Sequence, residues 1–236
     1  VQGRPEPTTY YGPERVLGTA IASIREAAGG RIATASLVGL GTGSLACHRQ
    51  SGENWSFYEI DAAVVRIARD ENLFPFLKGC GEAMPIVLGD ARLTLSKAPR
   101  GQDMVLLDAF SSDAIPTHLL TKEAIGLYVS RLAPRGVIVL HISNRHLQLA
   151  HILARVASEY GLVAYFGGDP QSQSEPFEKR LRADARVVVL ARDAAHLGRI
   201  VDQPNWLLTP PDMARAPWTD DFSNILEAMR DTHAPH

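Results

Sequence analysis

Apolar positions along this chain come in short, nearly unbroken runs, divided by polar stretches rich in Gly, Pro and Asp. Ala35–Gly39, Trp55–Ile60, Pro85–Leu88, Met104–Asp108 and Val137–Ile142 are such runs. A strand covered on both faces shows continuous rather than alternating hydrophobicity, so these segments predict a buried parallel sheet. Between them the apolar spacing becomes helical. Pro13–Ala28 has Pro in its first turn and Gly29-Gly30 at its close. Asp61–Asn72 carries Val64, Val65, Ile67 and Ala68, with Asp61 placed as cap. Thr121–Leu132 has Thr121 as cap, Glu123 near its first turn and Pro134 beyond its end, and His146–Tyr160 closes on Gly161. Val163–Phe166 and Arg186–Leu190 predict two further strands, and Ser223–Arg230 a short helix. The expected fold is α/β: a Rossmann-like, seven-stranded, methyltransferase-type sheet, mainly parallel, with helices on both faces and an antiparallel hairpin at its end. One domain is expected over 1–236, with 1–12 as an extended lead-in and 204–236 as a Pro- and Trp-rich tail packed on it.

In an open α/β sheet, ligands sit beyond the carboxyl ends of the strands. Four successive strand ends here carry glycine or acid. The first is Gly39-Leu40-Gly41-Thr42-Gly43, before an expected helix whose first N–H groups lack partners. This G-x-G-x-G spacing differs from the G-x-G-x-x-G of dinucleotide binders and suits an adenosyl sulfonium better than NAD. The next end is Glu59, whose carboxylate can accept hydrogen bonds from both ribose hydroxyls. Asp90 suits the adenine amino group, with the Ala91 N–H near a ring nitrogen. Asp108 and Asp113 fall where a reacting group would lie; a carboxylate there can hold an ammonium, remove its proton or stabilise sulfonium charge. Each acid also has a plainer reading: a capping box with Asp61 for Glu59, a helix cap for Asp90, and turn chemistry for Asp108 and Asp113.

Bulk properties narrow the partners. The chain has 236 residues, 45% of them hydrophobic and 21% charged, which suits one globular α/β domain. A net charge of −2 argues against nucleic-acid binding by bulk electrostatics. Cys47 and Cys80 are too few for a disulfide framework, which points to a reducing compartment and a cytoplasmic location. No membrane-length apolar run and no signal peptide is visible. The chain starts Val1-Gln2-Gly3, without an initiator Met, as a piece excised from something longer would. No metal is expected: His146 and His151 are five apart on one helix and do not face the same way. His141 ends the fifth strand, where a side chain either faces the pocket or has an ordinary structural role; Tyr10, Tyr11, Trp218 and Phe222 are either pocket walls or core anchors.

Taken in order, Thr9-Tyr10-Tyr11-Gly12-Pro13, Gly39–Gly43, Tyr58-Glu59-Ile60-Asp61, Gly89-Asp90-Ala91-Arg92, Leu107 through Pro116 and Trp218 through Ser223 resemble the spermidine synthase family. The likeness is to the bacterial spermidine-synthase-like domains often fused to multi-span membrane segments, and covers roughly residues 8 to 228. It implies S-adenosylmethionine or its decarboxylated form as co-substrate, a small amine as acceptor, and an oligomer or an attached membrane segment as possible partners. It also implies that Glu59 binds ribose, Asp90 adenine, Asp108 acts as the catalytic acid, Asp113 holds the amine, and Tyr10 or Tyr11 lines the acceptor pocket.

Three departures from the family pattern matter. Thr42 stands where the family's aminopropyltransferases carry an Asp that repels the carboxylate of S-adenosylmethionine. Asp108 and Asp113 are five apart instead of three, so Ala109-Phe110 looks inserted and Phe110 is expected to crowd the acceptor space. The small N-terminal β-domain is missing from this sequence. Aminopropyl transfer with release of methylthioadenosine is the leading expectation. Methyl transfer, cleavage of S-adenosylmethionine to methylthioadenosine, and nucleoside sensing for a membrane protein stay open beside it.

Overall fold

The computed structural model describes residues 4–7, 9–109, 116–143, 149–169 and 185–228. Eight strands form one sheet: β1 (Thr34–Val38), β2 (Asn54–Glu59), β3 (Ile86–Leu88), β4 (Gln102–Leu107), β5 (Leu132–His141), β6 (Val163–Gly168), β7 (Arg186–Ala191) and β8 (Trp206–Leu208). Their order is β3-β2-β1-β4-β5-β7-β6-β8. The first five pair in parallel, as the unbroken apolar runs required. β7 lies antiparallel to β5 and β6, and β8 antiparallel to β6. The expected seven strands are therefore joined by an eighth. β8 has only three residues and its Leu207 and Leu208 are exposed, so no apolar pattern marks it inside the Pro-rich tail.

The double-sided burial that dictates this sheet is visible residue by residue. Met104 and Leu106 of β4 enter one core layer while Val105 and Leu107 enter the other. Val137 and Val139 of β5, and Val187 and Val189 of β7, join the first layer; Ile138, Leu140, Val188 and Leu190 join the second. α1 (Val16–Ala27) covers the first face with Leu17, Ile21 and Ile24. α4 (Lys122–Arg131) and α5 (Leu149–Ser158) cover the second with Ile125, Tyr128, Ile152 and Leu153. α2 (Ala62–Ala68) and α3 (Ala91–Leu95) are short and follow β2 and β3 directly. α6 (Ile225–Ala228) closes the described chain.

The predicted caps hold: Asp61 accepts from Ala63 N–H and Thr121 from Ala124 N–H. In the tail, Trp218 is buried in the second layer, the core-anchor reading, while Phe222 is half exposed. The following Asp220 takes both guanidinium nitrogens of Arg92 at 2.7 and 2.8 Å and the Thr121 hydroxyl at 2.7 Å. The tail thereby ties the start of α3 to the start of α4. Among the described residues no helix is long and apolar enough to cross a membrane.

Candidate active site

Register puts the carboxyl ends of the parallel strands on one rim: Val38 is level with Tyr58 and Leu107, Glu59 with Leu88, and Leu107 with Leu140. Backbone bonds continue one residue beyond the strands, with Gly39 N–H on Tyr58 O, Gly89 N–H on Glu59 O and Asp108 N–H on Val38 O, each at 2.8 Å. A cavity of about 430 Å³ opens over this rim. That is within the range of small-molecule sites. Gly39, Gly41, Glu59, Asp61, Asp90, Ala91 and Asp108 line it from the rim, and Tyr10 and Tyr11 from the lead-in. Thr42 and Gly43 belong to the same turn without lining the cavity. Phe110 and Asp113 lie outside the described residues.

The glycines of the turn do different work. Gly39 has a φ of 92°, and a Cβ there would lie 2.3 Å from the Asp108 carbonyl oxygen, so its lack of side chain lets β1 pass the end of β4. Gly41, at φ 51°, has nothing within 4 Å of where its Cβ would be, and leaves its side of the turn open. The helix expected after the turn is a five-residue 3-10 helix, Ser44–His48. It offers no helix-end site of consequence.

Glu59 is buried, and both its oxygens are committed to backbone: Oε2 accepts from Leu40 N–H and Oε1 from Asp61 N–H, each at 2.9 Å. The carboxylate thus fixes the glycine turn against the start of α2. Each oxygen keeps acceptor capacity for one further donor. Asp90 caps α3 through Oδ1, which accepts from Arg92 N–H at 2.8 Å and Leu93 N–H at 3.2 Å. Its Oδ2 has no protein partner among the described residues, so the capping and ligand readings of this residue are compatible.

Asp108 stands opposite these two acids. Its Oδ2 accepts from the Tyr11 hydroxyl at 2.5 Å, and its Oδ1 lies 2.6 Å from Nδ1 of His141. Nε2 of His141 lies 2.6 Å from Oγ of Ser143, which also accepts from Arg186 N–H at 2.9 Å. Asp108 and His141 side chains are 6% and 4% exposed, so this chain of groups is shielded from bulk water. Burial first, then the Asp108 charge, pushes the Tyr11 phenol well above its ordinary value, so Tyr11 is a donor that keeps its proton. Burial raises Tyr10 likewise. His141 is bonded to Asp108 without lining the cavity, so of its two readings the pocket-facing one does not hold. Its pairing was foreshadowed by the sequence, because Asp108 and His141 each follow the last paired residue of neighbouring parallel strands.

The lead-in reaches the site because it is tied down twice. Arg4 donates to the carbonyls of Cys47 and Arg49 at 3.0 and 2.6 Å, and His48 Nε2 to that of Tyr11 at 2.8 Å. Burial lowers the His48 pKa, which favours the neutral ring. Cys47 and Cys80 form a disulfide with Cα atoms 4.8 Å apart, linking the helix after the glycine turn to the Leu77–Gly81 segment. The expectation of reduced thiols is corrected here. Cysteine count excluded a framework of several bridges but not this single one, so it no longer supports a reducing compartment.

No family model matches the sequence. Over 131 residues the chain is 31% identical to a polyamine aminopropyltransferase from Vibrio vulnificus, a stretch covering 53% of this chain and 42% of that protein. The chain therefore spans less than half the length of that relative. Its fold is similar to a probable spermidine synthase from Corynebacterium glutamicum, with a TM-score of 0.55 and 17% identity, covering 74% of this chain and 61% of that one. It is also similar to human methyltransferase-like protein 13, solved with SAH, with a TM-score of 0.54 and 18% identity over 76% of this chain and 80% of that one. The resemblance to spermidine synthases read from the motifs is borne out, and the Rossmann-like methyltransferase fold with it.

Proposed function

We propose that this protein transfers an aminopropyl group from decarboxylated S-adenosylmethionine to a small amine and releases methylthioadenosine. The observation that carries the reading is the shielded Asp108 carboxylate, held by the Tyr11 hydroxyl at 2.5 Å across the cavity from Glu59 and Asp90. In this reading Glu59 accepts the ribose hydroxyls, Asp90 Oδ2 accepts the adenine amino group, and the Ala91 N–H faces a ring nitrogen. The glycine turn borders the sulfonium through Gly39 and Gly41, with Thr42 and Gly43 beside them in the same turn.

The amine arrives as an ammonium and must lose a proton before its nitrogen can attack. Asp108 holds the ammonium and accepts that proton. The nitrogen lone pair then forms a C–N bond with the propyl carbon on sulfur. The C–S bond breaks, its electron pair returns to sulfur, and a neutral thioether leaves. Tyr10 and Tyr11 wall the acceptor side. The acceptor roles assigned to Asp113 and Phe110 rest on sequence alone, as does an attached membrane segment.

Methyl transfer is the second reading, favoured by Thr42: a neutral residue in the turn leaves the carboxylate of S-adenosylmethionine unopposed. Incubation with either sulfonium, with and without putrescine, followed by identification of the nucleoside, tests both. Methylthioadenosine formed only with an amine supports aminopropyl transfer. S-adenosylhomocysteine overturns it in favour of methyl transfer, methylthioadenosine without an amine in favour of cleavage, and binding without turnover in favour of a sensor.

A further inference from the structure

Resting on that transfer reaction, we infer that His48 is a positioning residue for it: its imidazole holds the Tyr11 backbone so that the Tyr11 hydroxyl stays on Asp108. Nε2 of His48 donates to the Tyr11 carbonyl at 2.8 Å, and the Tyr11 hydroxyl donates to Oδ2 of Asp108 at 2.5 Å. His48 does not line the cavity, so it acts through Tyr11.

The segment that carries Tyr11 needs such a hold. Tyr11 ends a three-residue 3-10 turn, Thr9–Tyr11, between Pro7 and Pro13. Among the described residues no strand pairs with it. Thr9 adopts a φ of 59°, a left-handed conformation that β-branched residues rarely take. A single turn has little stability of its own, so bonds from elsewhere set where the phenol lies. Arg4 ties only the far end of the segment, at the carbonyls of Cys47 and Arg49.

His48 offers a fixed base for the near end. It closes the 3-10 helix Ser44–His48, whose Cys47 is bonded to Cys80. Its carbonyl accepts from Nη2 of Arg25 at 2.7 Å. That guanidinium pairs with both oxygens of buried Glu53 at 3.0 and 3.1 Å. Glu53 also accepts from the Ile32 and Gln50 N–H groups, each at 2.8 Å. A line of bonds therefore runs from a buried ion pair through His48 and Tyr11 to Asp108. Burial foremost, with the Arg25 and Arg4 charges, keeps His48 below its ordinary value, so the ring is neutral and its one proton sits on Nε2 toward the carbonyl.

The test compares His48→Ala, His48→Asn and His48→Gln. The glutamine amide nitrogen can stand where Nε2 stands, the asparagine one reaches only as far as Nδ1, and alanine has no donor. In transfer assays kcat should fall roughly 5–10-fold in the Ala and Asn variants, the worth of one lost hydrogen bond, and the Gln variant should recover most of it, with methylthioadenosine affinity unchanged throughout. In a Tyr11→Phe background, where the hydroxyl is already gone, His48→Ala should cost little more, because both changes break the same line. Equal losses from His48→Ala in the two backgrounds, or wild-type kcat in His48→Ala, overturn the inference. Should His48→Ala not fold, the Asn and Gln variants carry the comparison, and equal rates in those two overturn it. Ring ¹³C NMR of labelled tyrosine reads Tyr11 without turnover, with Tyr11→Phe assigning its signal. That signal should move in His48→Asn and hold in His48→Gln; an unmoved signal in His48→Asn overturns the inference. Absence of transfer by wild type with every sulfonium and amine sinks the transfer reading instead, and the NMR comparison still decides whether His48 sets Tyr11.

Discussion

The two halves of the cavity are built by different means. On the side proposed to take the nucleoside, Glu59, Asp61 and Asp90 are held by backbone N–H groups two or three residues away, with Leu40 N–H as the one long reach. On the side proposed for the reaction, Asp108 is held by side chains 97 and 33 residues distant, Tyr11 and His141. Backbone donors in a folded rim cannot swing away, so the nucleoside half is set as soon as the sheet forms. The reaction half also needs the lead-in to dock and two rings to adopt one arrangement. Binding and chemistry should therefore be separable by mutation.

Asp108→Asn should have the largest effect. The amide preserves shape but accepts no proton, so turnover should fall on the order of 10²–10⁴-fold. Steady-state rates with the productive sulfonium and amine check this, and near-wild-type turnover would merge the two halves again.

Next comes the bridge behind the glycine turn. Reducing Cys47–Cys80, which closes a separation of 33 residues, should cost about 3 kcal/mol. Melting should drop by roughly 6–12 °C for a chain of this size. Thermal unfolding with and without a dithiol, alongside a Cys47→Ser/Cys80→Ser pair, measures it. An unchanged midpoint would mean that packing of the turn suffices without the bridge.

Thr42→Asp should act on ligand choice. A carboxylate about 4 Å from the methionine carboxylate is repelled by on the order of 4 kcal/mol at an effective dielectric near 20, before screening. A third of that is about tenfold in affinity. Wild type should bind S-adenosylmethionine at least as well as the decarboxylated form, and the variant should prefer the latter. Paired titrations check both, and a strong wild-type preference for the decarboxylated ligand would assign discrimination to another residue.

The smallest effect belongs to the tail strap. Arg92 and Asp220 are partly exposed, with side chains 25% and 40% accessible, so Arg92→Gln should cost about 1 kcal/mol or less. The Arg92 guanidinium lowers the Asp220 carboxyl from its ordinary value. Its contribution is therefore present above the ordinary carboxylate value and fades as pH falls through the lowered one. Denaturant titrations of wild type and variant at neutral and acid pH should converge at the acid end.

The same contrast explains what could be read from the sequence. The parallel strands were legible because double-sided burial leaves unbroken apolar runs, and the rim followed from their ends. Glu59 and Asp90 were legible because their partners are local. Tyr11 was foreseen as an acceptor-pocket wall, but its bond to Asp108 was not, because nothing within 97 residues of chain encodes it. β8 was missed because a three-residue element carries no periodicity. The disulfide was missed because pairing depends on which segments fold together, and Leu77–Gly81 gave no pattern of its own.

Isothermal titration of methylthioadenosine into wild type, Glu59→Gln and Asp108→Asn tests the separation most directly. In Glu59→Gln an amide NH₂ must face one of two backbone N–H donors, so a bond to the rim and an acceptor for ribose are both lost. Affinity should fall at least about tenfold there, the equivalent of one lost hydrogen bond to a charged group. In Asp108→Asn affinity should stay within about threefold of wild type. Equal losses in both variants, or full affinity in Glu59→Gln, would contradict a nucleoside half that is built and works apart from the reaction half.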